Sequence, residues 1–251
     1  PPEFLLSHPV TEAGIADTGG RAARYPERES NPSLEYQLMR SRIQIHYEPL
    51  AQNAITMFQT ELNNGASDTD KSAAQYGLAL AYMKNKEYNK AHEALEPLLT
   101  ADPNRIAYVV AKAEIYTAGN EAGRAQEFLA RPLQISPDNH PLTMTYADAL
   151  IAARKYEEAA RVPETHAVRR PDDHDLWYAI AETQGLVGNV SKVHQARAEY
   201  FILIGDFKSA SEQLSYALRI ESDKENNGPL IAKLRQRSRD VETLDRNSRG
   251  R

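Results

Sequence analysis

The chain has 251 residues, 41% hydrophobic and 26% charged, with a net charge of -5. This is ordinary globular composition, and the acidic balance excludes nucleic acid as the main partner, because phosphate binding needs a basic face. No apolar run approaches the roughly 20 residues of a membrane helix, so no transmembrane segment is expected. With no cysteine, disulfides and thiolate metal sites are excluded.

The chain opens Pro1-Pro2-Glu3-Phe4, without initiator Met or signal peptide, and reads as a processed chain or an excised fragment. Residues 1–30 are poorly periodic. Gly14, Gly19 and Gly20 are expected to break any helix there, leaving the segment irregular, partly disordered or displaced. Residues 31–64 read as an atypical helix pair, 33–47 and 49–64, with Ile43, Leu50, Ala54, Phe58 and Leu62 as its weak apolar register. Pro49 suits a first helical position, and Asn63-Asn64-Gly65 stops the second helix before a loop over 65–71.

From residue 72 the chain repeats. Pro103, Pro137 and Pro171 stand 34 residues apart, as do Ala91, Ala125 and Ala159, and again Ala79, Ala113 and Ala147. Thirty-four residues is the tetratricopeptide period. Each unit is two antiparallel helices. The small residue on each lets the other approach, and the proline ends the second and presets the turn. Units fall at 72–105, 106–139 and 140–173, the third degraded where Pro163 and His166 replace core residues. Trp177 and Ala181 begin a fourth. Ala198, Phe201, Ala210, Leu214 and Ala217 then fit the pattern shifted by half a period, so one helix near 191–204 serves two units. Gly205-Asp206 is the next turn and 207–220 the closing helix. Leu230, Ile231, Leu234 and Val241 mark a capping helix near 229–244, which a solenoid needs to cover its last repeat. The fold class is all-α: a tetratricopeptide repeat solenoid of antiparallel helix pairs, with a concave groove and a capping C-terminal helix.

The segment Phe4-Leu5-Leu6-Ser7-His8-Pro9, followed by Glu12 and Ile15-Ala16-Asp17, resembles the end of the protease domain in periplasmic zinc metalloproteases of the β-barrel assembly-enhancing type. There a leucine pair and a Ser/Thr-His-Pro step precede a tetratricopeptide C-terminal region. The helix Val193-His194-Gln195-Ala196-Arg197-Ala198-Glu199-Tyr200-Phe201 also looks like that family's out-of-phase repeat. Residues 13–21 depart from it, with glycines where charged residues are expected. The resemblance covers essentially the whole chain. It implies a bacterial periplasmic protein, zinc in the parent enzyme, and partners among the β-barrel assembly machine, its outer-membrane protein clients and lipopolysaccharide-transport components. It also implies that His8 contacts or caps the zinc site of the intact enzyme, the alternative being an ordinary loop histidine.

The chain itself carries no zincin motif. The nearest string, His92-Glu93-Ala94-Leu95-Glu96, has Glu where the second His must stand, and His92 reads as a surface residue of a repeat helix. His140 and His174 read as turn residues. Gly185, Gly188 and Gly205 sit at helix ends rather than in a phosphate loop. No nucleophile, base and orienter constellation supports an enzyme. Function is expected in the groove. First-helix residues three before the small residue are Tyr76, Val110, Met144 and Tyr178, with Gln195 in the shifted unit. Those one after it are Leu80, Glu114, Asp148, Glu182 and Glu199. An apolar and aromatic row beside a carboxylate row suits an extended or helical peptide with apolar side chains and positive charge. Alternatively, neighbouring bases, such as Lys112, Arg154 and Arg197, pair with these acids and merely solvate the face. The segment from Gly228 on has a net charge of +4, leaving -9 on the rest. Its tail after Asp245 lacks apolar residues and is expected to be disordered. Two readings stand: a partner-docking domain of a metalloprotease, and a generic scaffold or co-chaperone module unrelated to proteolysis.

Overall fold

The computed structural model describes residues 12–22, 33–224 and 227–249, all helix and turn. In chain order these are α1 (Glu12–Ala22), α2 (Leu34–Tyr47), α3 (Ala51–Asn64), α4 (Asp68–Lys84), α5 (Tyr88–Ala101), α6 (Ile106–Ala118) and α7 (Ala122–Ile135). Then come α8 (His140–Ala152), α9 (Tyr156–Ala167), α10 (His174–Leu186), α11 (Val190–Leu203), α12 (Phe207–Ser222) and α13 (Gly228–Arg249).

The alanine columns are the contact points of the solenoid. Ala79, Ala91, Ala113, Ala125 and Ala159 have no exposed surface, and Ala147 almost none. A methyl group there brings helix backbones close enough for the larger Leu95, Ile115, Leu129 and Leu142, also fully buried, to fill the space between them. Each first helix passes to the second through a tight turn in which one residue has positive φ. These residues are Lys86, Asn120, Arg154 and Gly188, 34 apart, then Gly205 half a period later. The turn geometry therefore repeats where the residue type does not. At α4 the backbone itself is a packing surface. A Cβ on Gly77 would lie 2.3 Å from the Phe58 ring of α3, so only glycine admits that fully buried ring.

α11 packs on α10 through Ala196 and on α12 through Ala198, one helix facing two partners. α13 closes the array with Leu234 and Val241 on α12.

Two expectations are corrected. The glycine-bearing stretch is helical as α1, with Asp17 and Arg21 paired across one turn at 2.9 Å. Exposed glycine costs a helix only about 1 kcal/mol per residue and does not forbid it. The basic tail likewise continues α13 to Arg249 instead of fraying after Asp245.

Candidate functional site: the inner wall of the solenoid

The first helices α4, α6 and α8 pack on one another in succession and carry the predicted groove residues. The structure divides those residues into covered and open. At the N-terminal end, α2 barely touches its sequence neighbour α3 and lies instead on α4, reaching α6. Leu38, 1% exposed, enters the core formed by Tyr76, Leu80 and Tyr108. The Gln37 amide donates to Asp70 at 2.9 Å, an acid that also closes the capping box at the start of α4. Ser41 donates to the Ala73 carbonyl at 3.2 Å. Lys84 caps the last carbonyls of α2, donating to Ile45 and Glu48 at 2.7 and 2.6 Å. Arg105 pairs with Glu35 at the other end.

Arg42 is the centre of this seam. Its Nη1 and Nη2 donate to the two Glu114 carboxylate oxygens at 3.0 and 2.8 Å, and its Nε donates to the Tyr76 hydroxyl at 2.6 Å. Such a fork fixes orientation as well as charge. Burial, opposed by the neighbouring guanidinium, pushes the Tyr76 hydroxyl up to about 12, so it stays protonated.

Tyr76, Leu80 and Val110 are therefore not groove residues open to a partner. All three are buried, the first two in the core that α2 completes and Val110 among the residues between α6 and α8. Glu199 is occupied as well, gripped by Nε of Arg237 from α13 at 2.8 Å and by its Nη2. The bases named as alternative partners do not take these acids. Lys112 pairs with Glu96, and Arg154 and Arg197 have no ion pair among the described residues.

Between the two covered ends the wall is open. Asp148 on α8 and Glu182 on α10 are exposed, without hydrogen-bond or ion-pair partners among the described residues. Tyr178 is 52% exposed, its ring against Tyr200 at 5.8 Å, and Met144 is half-buried against the α10 core. Asp148 keeps solvent contact, but the concave wall crowds its carboxyl. That desolvation, followed by the Glu114 charge, pushes it up to about 6.

The histidines hold different places from those expected. His92 is half-buried, both ring nitrogens shut from solvent and unpartnered, 4.7 Å from the Tyr116 ring. Burial lowers its proton affinity, which makes neutrality tolerable. His140 begins α8 and stacks on His166, which is buried, at 3.2 Å between ring nitrogens. His166 also lines a hollow of about 580 Å³ with Leu133, Tyr146 and Val162, where the third unit loses its bulky core residues. No sequence signal beyond that degraded register announced it. No group of three or more metal-ligating side chains exists among the described residues. His8 lies outside the described residues. No described helix is long and apolar enough to cross a membrane.

The Tetratricopeptide repeat family model matches residues 116–183, the units that form the open wall. The β-barrel assembly-enhancing protease of Escherichia coli K12 is 30% identical over 219 residues, 86% of this chain and 44% of its own. The chain is a tetratricopeptide-repeat solenoid related to the β-barrel assembly-enhancing proteases. The protease of that name from Yersinia pestis is 26% identical over 86% of this chain and 44% of its own. The chain thus spans about half the length of the curated relatives it matches. Among solved structures, a thermophilic tetratricopeptide protein of Thermus thermophilus aligns over 84% of this chain and 100% of its own, at 18% identity and TM-score 0.47.

Proposed function

We propose that this chain is a protein-docking region of a periplasmic β-barrel assembly-enhancing metalloprotease, and that it brings the β-barrel assembly machine and outer-membrane protein clients to the protease. One observation carries the reading. The chain's own helices cover both ends of the inner wall and leave Asp148 and Glu182 open and unpaired between them, with Tyr178 exposed beside them. A repeat wall that is finished at its ends and bare at its centre is built to be completed by another chain. Docking beside a protease raises the local concentration of a client at its active site. On this reading zinc belongs to the protease half of the relatives, with His8 placed near it.

The test is capture from outer-membrane extract by the 251-residue chain and by its Asp148→Asn/Tyr178→Ala/Glu182→Gln variant, with bound proteins identified by mass spectrometry. Capture of β-barrel assembly components by the unaltered chain, lost in the variant, is expected. Capture of none of them at tens of micromolar would remove the recruitment role.

A further inference from the structure

Four carboxylates occupy one place in the repeat: Glu114, Asp148 and Glu182 at intervals of 34, and Glu199 half a period on. The chain treats them unequally. Glu114 receives a two-pronged arginine from α2, and Glu199 receives one from α13. Those arginines stand on two unrelated helices that approach the wall from its opposite ends. The same solution therefore appears twice in one molecule: a guanidinium carried by a helix laid against the inner wall, its fork closing on the repeat carboxylate. Asp148 and Glu182 have the position without the arginine. Asp148 is also crowded by the wall and lies within the field of Glu114, a cost that a cation would offset.

We infer that Asp148 and Glu182 are receptor carboxylates for an arginine-bearing amphipathic helix of a partner protein, laid on α8 and α10 as α2 lies on α4 and α6. This rests on the docking role proposed above and specifies its ligand. The α2 seam supplies the template. Leu38 enters the wall, and Arg42, one turn later, sits between Tyr76 of one unit and Glu114 of the next. Carried forward by two whole repeats, from α4 and α6 to α8 and α10, that offset sets the arginine between Met144 and Glu182, with Asp148 beside it on α8 at the place that Leu80 holds on α4. An arginine there meets a carboxylate with its fork and an apolar side chain with its methylene stem. Lysine, a point charge without the fork, fits worse. The outward face of the template carries Tyr36, Met39, Ile43 and Tyr47, all exposed, and makes no contribution to the seam.

The experiment uses the full chain and a fluorescein-labelled peptide with the sequence of residues 34–47, hydrocarbon-stapled between positions 39 and 43. The staple sits on the outward face and offsets the weak helicity of so short a peptide. Because α2 already fills the first site, added peptide probes the open one. Fluorescence anisotropy is expected to show saturable micromolar binding. It should weaken at least tenfold for the Arg42→Gln peptide, less for Arg42→Lys, and at least tenfold for Asp148→Asn/Glu182→Gln protein of unchanged circular dichroism. Absence of binding at about 1 mM, or binding indifferent to both the arginine and the acids, overturns the inference. So does sedimentation showing the acids already filled by a second copy of the chain. If the peptide fails while captured assembly proteins still depend on Asp148, Tyr178 and Glu182, the arginine-helix ligand falls and the docking role stands. If capture fails too, both fall.

Discussion

Asp148→Asn should stabilise the chain at neutral pH and do nothing for it in acid. The ordinary carboxyl value is 3.8, and in the folded chain Asp148 stands at about 6. Below about pH 4 both folded and unfolded states hold the proton. Between about 4 and 6 the folded chain keeps a proton that the unfolded chain has released, so stability falls as pH rises through that window. Above about 6 both are ionised and the full cost applies. A shift of about two units corresponds to an upper figure of about 3 kcal/mol. Asp148 retains solvent-accessible surface, and screening reduces this to about 1 kcal/mol. The amide is nearly isosteric and carries no charge, so it removes that cost. Urea unfolding of both proteins at about pH 3.5 and 7.5 reads the difference. The variant should match the parent in acid and exceed it by about 1 kcal/mol at neutral pH. An equal effect at both values, or destabilisation at neutral pH, would show that Asp148 is not a strained carboxylate and would refute the reasoning.

Arg42→Ala leaves Glu114 and the Tyr76 hydroxyl without their donor. It should cost about 2 kcal/mol, seen as faster hydrogen exchange in α2, and raise the Asp148 carboxyl further in an NMR titration. Gly77→Ala drives a methyl into the Phe58 ring and should destabilise by about 1–3 kcal/mol in thermal or urea unfolding. Phe58→Ala empties the fully buried site beneath it and should lose about 3–5 kcal/mol. Lys86→Gly and Arg154→Gly relieve positive φ at non-glycine turns and should each gain about 0.5–1 kcal/mol by the same measurement.

The repeat was legible because it is written in small side chains. Where two helices must touch, only Ala79, Ala91, Ala113 or Ala125 fits, so period and residue type coincide and the helix pairs follow. The left-handed turns were half legible. Gly188 and Gly205 declare themselves, whereas Lys86 and Arg154 adopt the same backbone because the helices on either side impose it. The carboxylate row could be read as a row, since its spacing is that of the repeat. Which of its members stay open could not. Residues 34–47 form a helix by their own pattern, but nothing local directs that helix onto α4 and α6 rather than α3. That choice comes from Leu38, Arg42 and Gln37 meeting Tyr76, Glu114 and Asp70, which lie some 30 to 70 residues further along the chain. Sequence by itself determined the solenoid, its period and its half-step near residue 191, because these depend on contacts between neighbouring helices. Only the tertiary structure decided that Glu114 and Glu199 are filled from within while Asp148 and Glu182 stay open on the inner wall, because long-range packing of the two end helices, not spacing, sets where each arginine arrives.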